Sequence, residues 1–386
     1  MRLATGCLAL LLFVASAPAA TPTLPRVAPE KIGCDARKLG KIDELVAAAL
    51  NNQQMPGCVV LVARHGKIGW LKVYGQASAE PGFEPLSEST IFDLASLTKP
   101  IATATSVMKL VEDGKVEISA PVAKYLPEFA QQGKEAITVE QLLCHTSGLI
   151  ADNPIGDYND GPEKAWERLF ALKLTTPIGT KFTYSDVNFE ILGKLVERVS
   201  GENLNTFART KLYQPLGMEH TTYLPPADWK KRIAPTEKRG EQWLQGEVHD
   251  PRAYKLGGVA GHAGLFSQVD DLARYAQMLL GGGEYAGQRV LKPETIAEMT
   301  KARDIPGGGQ RALGWDVRTG FSSNRGRGLS DKAFGHGGFT GTVIWIDPEL
   351  DMFYIFLSNR VHPSGKGNVN KLAGEIGSVV VESLLK

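Results

Sequence analysis

Asp93-Leu94-Ala95-Ser96-Leu97-Thr98-Lys99-Pro100 is the stretch on which the reading of this chain turns. Ser96 and Lys99 stand three residues apart. The residues after them carry helical periodicity, with Ile101, Thr105, Met108 and Val111 on one face and Gly114 as the stop. At that spacing two side chains leave a helix from one face, one turn apart. Pro100 falls in or just after the first turn, where a missing N–H costs least. A serine hydroxyl is a poor nucleophile until a base takes its proton. A lysine can be that base when burial or a neighbouring cation lowers its pKa. The plain alternative is an N-cap serine followed by a solvated lysine, so the chemistry has to be judged by its partners elsewhere in the chain.

The surrounding composition is that of a soluble globular protein, 43% hydrophobic and 22% charged. A net charge of +1 gives no reason to expect a nucleic-acid or polyanion partner. The length admits one large domain or two lobes with a substantial core, and no repeat, heptad run or low-complexity tract interrupts it. The first residues differ. Met1-Arg2 is a short positive start, Leu3 to Ala15 is almost wholly apolar, and Ala17-Pro18-Ala19 fits a small-residue cleavage site. Residues 1–19 therefore read as a secretory signal peptide, cleaved after Ala19 or Ala20. The mature chain is expected to be exported, periplasmic or extracellular, with no transmembrane segment. Cys34, Cys58 and Cys144 remain in it; three cysteines allow at most one disulfide, and their spacing fits no zinc pattern.

The periodicities predict a helix over 35–50, then a hairpin of strands at 58–63 and 68–74 around Arg64-His65-Gly66-Lys67. The middle of the chain reads as mostly helical. Thr138-Val139-Glu140-Gln141 is a capping box, Asp186 to Val199 is a helix ended by Gly201, and Val269 to Leu280 is another. Strands return at 312–317, 342–346 and 352–357, and a final helix runs over 368–385. Strands at both ends with helices between them predict an α/β (α+β) fold. Its antiparallel sheet is built from both termini, about 29–95 and 302–386, and a mainly helical lobe, about 96–301, is inserted beside a cleft.

Two further stretches supply partners for Ser96. Tyr184-Ser185-Asp186 lies in a loop just before a helix, a position that presents a tyrosine to a cleft; near an ammonium such a hydroxyl can act as a general base. Taken alone it also reads as a half-buried tyrosine before an Asp N-cap. Phe334-Gly335-His336-Gly337-Gly338-Phe339-Thr340-Gly341-Thr342 precedes a strand with enough glycine for a substrate to approach the backbone. Its N–H groups can serve as oxyanion donors, or it is a plain glycine turn.

Ser-x-x-Lys, Tyr-x-Asp and His-Gly-Gly occur in the order in which serine β-lactamases and penicillin-binding proteins carry Ser-x-x-Lys, Tyr-x-Asn and Lys/His-x-Gly. With Leu142 to Leu149, Tyr184 to Phe189 and Gly261 to Ser267 also matching, the chain from about Pro29 to Lys386 resembles a β-lactamase-fold serine hydrolase of the class C and penicillin-binding-protein type. Val248-His249-Asp250 and Gly257 to His262 look most like the low-molecular-mass members proposed to be D-Ala-D-Ala carboxypeptidases or esterases. The resemblance implies Ser96 as nucleophile, Lys99 as its activating partner, and Tyr184 as second base and leaving-group acid. It also implies an oxyanion hole at the N–H groups of Ser96 and Phe339, with His336, Gly338 and Asp186 around the substrate. Two departures stand out. Asp186 replaces an amide with a negative charge, and His336 replaces a lysine, leaving positive charge near neutral pH weak. Arg360 is a candidate for the missing cation. The expected activity is D-Ala-D-Ala carboxypeptidase-like or esterase, on a small-molecule or peptidoglycan-derived substrate. A class C-like β-lactamase and a penicillin-binding sensor are the alternatives.

Other readings fit less well. An α/β-hydrolase needs a Gly-x-Ser-x-Gly elbow, which the chain lacks. The seven histidines are scattered, and His249-Asp250 with His262 is too sparse for a metal site. Neither a metal nor a cofactor is expected.

Overall fold

The computed structural model describes residues 21–385, so the signal-peptide reading of 1–19 lies outside the described residues. Nine strands form one sheet. β1 (Gly57–Arg64), β2 (Lys67–Ser78) and β3 (Glu84–Pro85) come from the N-terminal part. β4 (Arg303–Asp304), β5 (Gln310–Arg311), β6 (Asp316–Arg318), β7 (Phe334–Gly337), β8 (Thr342–Asp347) and β9 (Met352–Ser358) come from the C-terminal part. The order is β4-β5-β6-β7-β8-β9-β1-β2-β3. The two parts join where β1 and β9 run antiparallel, with Leu61 opposite Ile355. The sheet of both termini expected from the sequence is thus present.

The β1 run Cys58-Val59-Val60-Leu61-Val62-Ala63 is apolar at every position because both faces of the sheet are covered. Successive side chains point to opposite faces. Val60 and Val62 join Trp345, Tyr354 and Phe356 in one core, covered by α1 (Lys41–Asn51). Val59, Leu61 and Ile355 face the other core, shared with the helices of the middle segment: α2 (Thr105–Glu112), α3 (Asp186–Ser200) and α4 (Val269–Leu280). The last helix, α5 (Asn370–Glu382), lies beside α1 and sends Leu372, Ile376 and Val380 into the first core. Among the described residues no helix is long and apolar enough to cross a membrane.

Several elements differ from the periodicity. The helix expected over 35–50 breaks at Gly40, with Asp35 capping its first piece through the Arg37 and Lys38 N–H groups. The strand expected at 312–317 is two short strands around a turn. Gly314 makes that turn at φ +82°, close enough to Ala104 that a Cβ there would lie 2.5 Å from the alanine methyl. The Gly314 N–H also bonds the Leu143 carbonyl at 3.1 Å. α5 is shorter than 368–385. The capping box at Thr138 and Gln141 is present, and α3 ends at Gly201 in the left-handed region. All three cysteines of the described residues are free and buried.

Candidate active site

Ser96 sits in a 3₁₀ turn, Ala95–Leu97, and Lys99 opens a π-helical turn, Lys99–Ala104, that leads into α2. The wide turn suits Pro100, which has no N–H to donate, and the Thr105 hydroxyl caps the Pro100 carbonyl at 2.8 Å. Ala95 takes φ +46°, uncommon for a residue with a side chain. Asp93 holds it there: its buried carboxylate accepts the Ala95 N–H at 2.8 Å and the His249 N–H at 2.7 Å.

The nucleophile turn is tied to the glycine-rich stretch on the sheet side. The Thr340 hydroxyl donates to the Asp93 carbonyl at 2.7 Å, and the Thr342 hydroxyl to the Leu94 carbonyl at 3.0 Å. Gly338 packs against the second of these contacts. A Cβ on it would stand 2.2 Å from Thr342 Oγ1 and 2.3 Å from the Leu94 carbonyl oxygen. Glycine is needed here for close approach, whatever else the stretch does.

Lys99 is fully buried, and its ammonium makes three contacts. It donates to Ser96 Oγ at 3.0 Å and to the His262 carbonyl at 3.1 Å, and pairs with Asp186 Oδ1 at 2.6 Å. It also lies 5.0 Å from the centre of the Tyr184 ring. Burial works to lower its pKa, but the Asp186 carboxylate and the Tyr184 hydroxyl outweigh that and hold it above the ordinary lysine range. The sequence reading asked for a lowered pKa at this lysine; the fold provides the opposite, because Asp186 faces the lysine. Asp186, assigned above to the substrate, is instead the counter-ion of Lys99.

Tyr184 is placed by the Leu142 to Leu149 stretch. His145, at φ +59°, stacks on the Tyr184 ring with centres 4.6 Å apart and accepts the Ser185 N–H at 3.0 Å. Ser185 caps α3 through the Asn188 N–H, so Asp186 is the first helical residue and not the cap. Burial, reinforced by Arg311 and Lys99, holds His145 well below the usual histidine range, and it stays neutral.

His336 is also buried and neutral. Burial, then Arg311 and Lys99, drive its pKa well below 6.5. Its Nδ1 lies 2.8 Å from the Gly337 carbonyl oxygen, which places the proton on that nitrogen. The weak positive charge expected at this position is therefore absent. Arg360 does not replace it. Its Nε donates to the Phe339 carbonyl at 2.7 Å, and Nη1 to the Gly365 and Gly367 carbonyls at 3.1 and 2.7 Å. Arg360 fixes the Phe339 peptide. Arg311 also borders the cleft: it is buried, 3.6 Å from Asp316, and its Nε and Nη2 have no partner among the described residues.

The cleft has a volume of about 350 Å³ and is bordered by Ser96, Tyr184, Arg311, His336, Gly338 and Phe339. Two exposed aromatics flank it. Phe321 stacks on Tyr184 at 5.1 Å, and Phe339 lies against His249 at 5.6 Å. The structure thus brings together every residue singled out from the three motifs.

Sequence reading missed the layer behind Lys99. Asp186, Asp250 and His262 bring ligand-type atoms within 4.8 Å of one another, and the ammonium of Lys99 pairs with Asp186 at one side of them. Beyond them lies Glu190, one turn after Asp186 on α3. The i, i+4 spacing of Asp186 and Glu190 was the available signal, together with the polar His262 inside a run of small residues.

Comparison with known proteins fits this geometry. The family model described as "Beta-lactamase" matches residues 42–376. A Salmonella agona protein named "Putative D-alanyl-D-alanine carboxypeptidase" is 32% identical, over 90% of this chain and 89% of its own length. The structure described as "EstCE1, a hydrolase with promiscuous acyltransferase activity" superposes with a TM-score of 0.72 at 23% identity, covering 89% of this chain and 99% of its own. A class C β-lactamase does so at 0.73 and 20% identity, covering 90% and 96%. This chain belongs to the β-lactamase family and is a serine hydrolase of the β-lactamase superfamily.

Proposed function

We propose that the protein is an exported hydrolase of D-alanyl-type amides, acting through an acyl-enzyme on Ser96. The observation that carries the mechanism is the placement of the Lys99 ammonium between Ser96 Oγ and Asp186. A lysine held cationic cannot accept the serine proton, so Tyr184, whose ring centre lies 5.0 Å from the ammonium, relays it: the Tyr184 oxygen takes the Ser96 proton as its own hydroxyl proton passes to the substrate nitrogen. As the Ser96 Oγ–carbonyl bond forms, the N–H groups of Ser96 and Phe339 receive the oxyanion. Ser96 lies in the first turn of its helix, where N–H groups have no intrahelical partner. The C–N bond then breaks with that proton on the leaving amine, and water repeats the cycle on the ester, its proton relayed through Tyr184 back to Ser96 Oγ.

The relative named as a carboxypeptidase supports the amide reading, as does the positive field of Arg311 at the cleft, which favours a substrate carrying a carboxylate. Ester hydrolysis is the second reading, favoured by the neutral His336 and the exposed Phe321 and Phe339. β-Lactam turnover is slow on either reading. Export rests on the Arg2 to Ala19 pattern, and a mature protein from an envelope fraction that still begins at Met1 would contradict it.

The deciding experiment is intact-protein mass spectrometry after exposure to a penicillin, a short ester and a D-Ala-D-Ala peptide. A covalent adduct that disappears in Ser96→Ala is expected, with fastest turnover of the peptide. Labelling that persists in Ser96→Ala removes Ser96 as nucleophile. A stable penicillin adduct without turnover of ester or peptide points to a sensor.

A further inference from the structure

Five ionisable side chains are enclosed directly behind the nucleophile. Lys99 and His262 are fully buried, Glu190 is 1% exposed, and Asp186 and Asp250 are half-buried beside them. His262 touches this group twice. Its carbonyl accepts a hydrogen bond from Lys99 at 3.1 Å. Its ring lies with Nε2 2.9 Å from Asp250 Oδ1 and Nδ1 3.5 Å from Glu190 Oε1, and within 4.8 Å of the Asp186 carboxylate. Asp250 faces Nε2 at hydrogen-bond distance and the Glu190 carboxyl group stands 3.5 Å from Nδ1, surroundings that favour the doubly protonated ring.

We propose that His262 is a positioning residue for the Ser96–Lys99 pair: its imidazolium balances Asp186, so that this carboxylate can stay buried and hold the lysine against the nucleophile. This rests on the reading of Ser96 and Lys99 given above. The charges bear it out. Without His262, Asp186 and Asp250 would be two carboxylates against the single charge of Lys99. Buried charge that is not balanced costs several kcal/mol or is lost by protonation. A protonated Asp186 would no longer attract the lysine.

The other groups around His262 agree. Burial works to lower its pKa, but Asp250 and Glu190 raise it to about 9, with Asp186 adding to them. Asp250 is anchored independently as the cap of the short helix Pro251–Lys255. Burial pushes Glu190 up to about 7. Tyr158 lies 2.8 Å from Glu190 and 2.7 Å from Asn153 Oδ1, and with one proton it can donate to only one of them. A protonated Glu190 satisfies both, donating to Tyr158 while Tyr158 donates to Asn153. The remaining charges on this side are Asp152 and Arg252, 3.7 Å apart, which balance each other.

The test is a double-mutant cycle on Asp186→Asn and His262→Gln, with a titration that needs no substrate. His262→Gln alone should lower kcat on the order of 10²-fold with KM little changed, as expected when a reacting group is misplaced. In the Asp186→Asn background the same change should cost about 10-fold less. By NMR of ¹⁵N-histidine protein, His262 should keep both protons up to pH near 9 in the parent chain and release one at lower pH in Asp186→Asn. Equal kinetic losses in both backgrounds, or a His262 titration unmoved by Asp186→Asn, would overturn the proposal. The titration is run on Ser96→Ala protein as well. It therefore decides the role of His262 even if labelling shows that Ser96 is not the nucleophile, and it stands if His262→Gln fails to fold.

Discussion

On the helical side of the cleft, His262 is held as a cation beside Asp250 and Asp186, and Lys99 as a cation beside Asp186. On the sheet side, His336 is equally buried but neutral, with Arg311 and Lys99 near it where His262 has carboxylates. Burial acts in the same direction on both rings; the charges around them decide the outcome. The helical side therefore holds the buried charges, while the sheet side offers backbone groups and a neutral ring. The two sides meet through Thr340 and Thr342, whose hydroxyls clamp the nucleophile turn.

The sharpest way to break this division is to remove the proton-handling pair. Lys99→Ala and Tyr184→Phe should each lower kcat/KM by about 10²–10⁴, the range for general acid–base groups. The double variant should lose far less than the product, since the two act as one unit. Independent, multiplicative losses in steady-state assays would show that the charge on the helical side is not shared with the tyrosine.

Gly338→Ala tests the clamp between the two sides. The added methyl meets Thr342 and the Leu94 carbonyl, and overpacking of this kind costs about 1–3 kcal/mol. Thermal denaturation should show that loss, with acylation reduced more than substrate binding. A variant with parental stability and acylation rate would mean the clamp is loose.

Charge on the sheet side is read by substrate preference. Arg311→Gln should lower the preference for a carboxylate-bearing substrate over its methyl ester several-fold, about 1 kcal/mol of screened electrostatic attraction. Arg360→Ala should leave the preference in place, because its Nε and Nη1 are held by the carbonyls of Phe339, Gly365 and Gly367. The reverse pattern would return Arg360 to the substrate.

The smallest effect is the pH dependence of stability, where the two kinds of histidine act with opposite sign. His145 and His336 have folded pKa values below 6.5. Below that pH the unfolded chain takes up protons that the native one refuses, so their contribution is present above pH 6.5 and lost as pH falls. His262 has its folded pKa raised to about 9, so its contribution is full below 6.5 and lost as pH rises through 9. Urea midpoints should decline on both sides of a maximum near pH 6.5, and His262→Gln should flatten the alkaline limb alone. An alkaline limb unchanged in that variant would mean that His262 is not cationic.

The order of the motifs, the sheet drawn from both termini and the residues that would meet are legible in the chain alone. Those features are written in local signals: the Ser96–Lys99 spacing, the capping box at Thr138, the apolar run of β1 and the glycines around His336. What those residues do to one another is not. Lys99 needs a lowered pKa to be a base, and only the folded chain shows Asp186 turned onto it. Arg360, the candidate for the missing cation, is held by three backbone carbonyls, while Arg311 lies in β5, just before the stretch expected as one strand, with unpartnered donors. His249-Asp250 and His262 looked scattered, yet Asp250 and His262 lie 2.9 Å apart and His249 faces away to Glu237. The physical reason is the range of the interactions. Helix caps, turns and strand alternation are settled by neighbours within a few residues. The charge state of a buried group depends on whichever ions the fold brings within a few ångströms, and here those come from segments as far apart as residues 99, 186, 250 and 262.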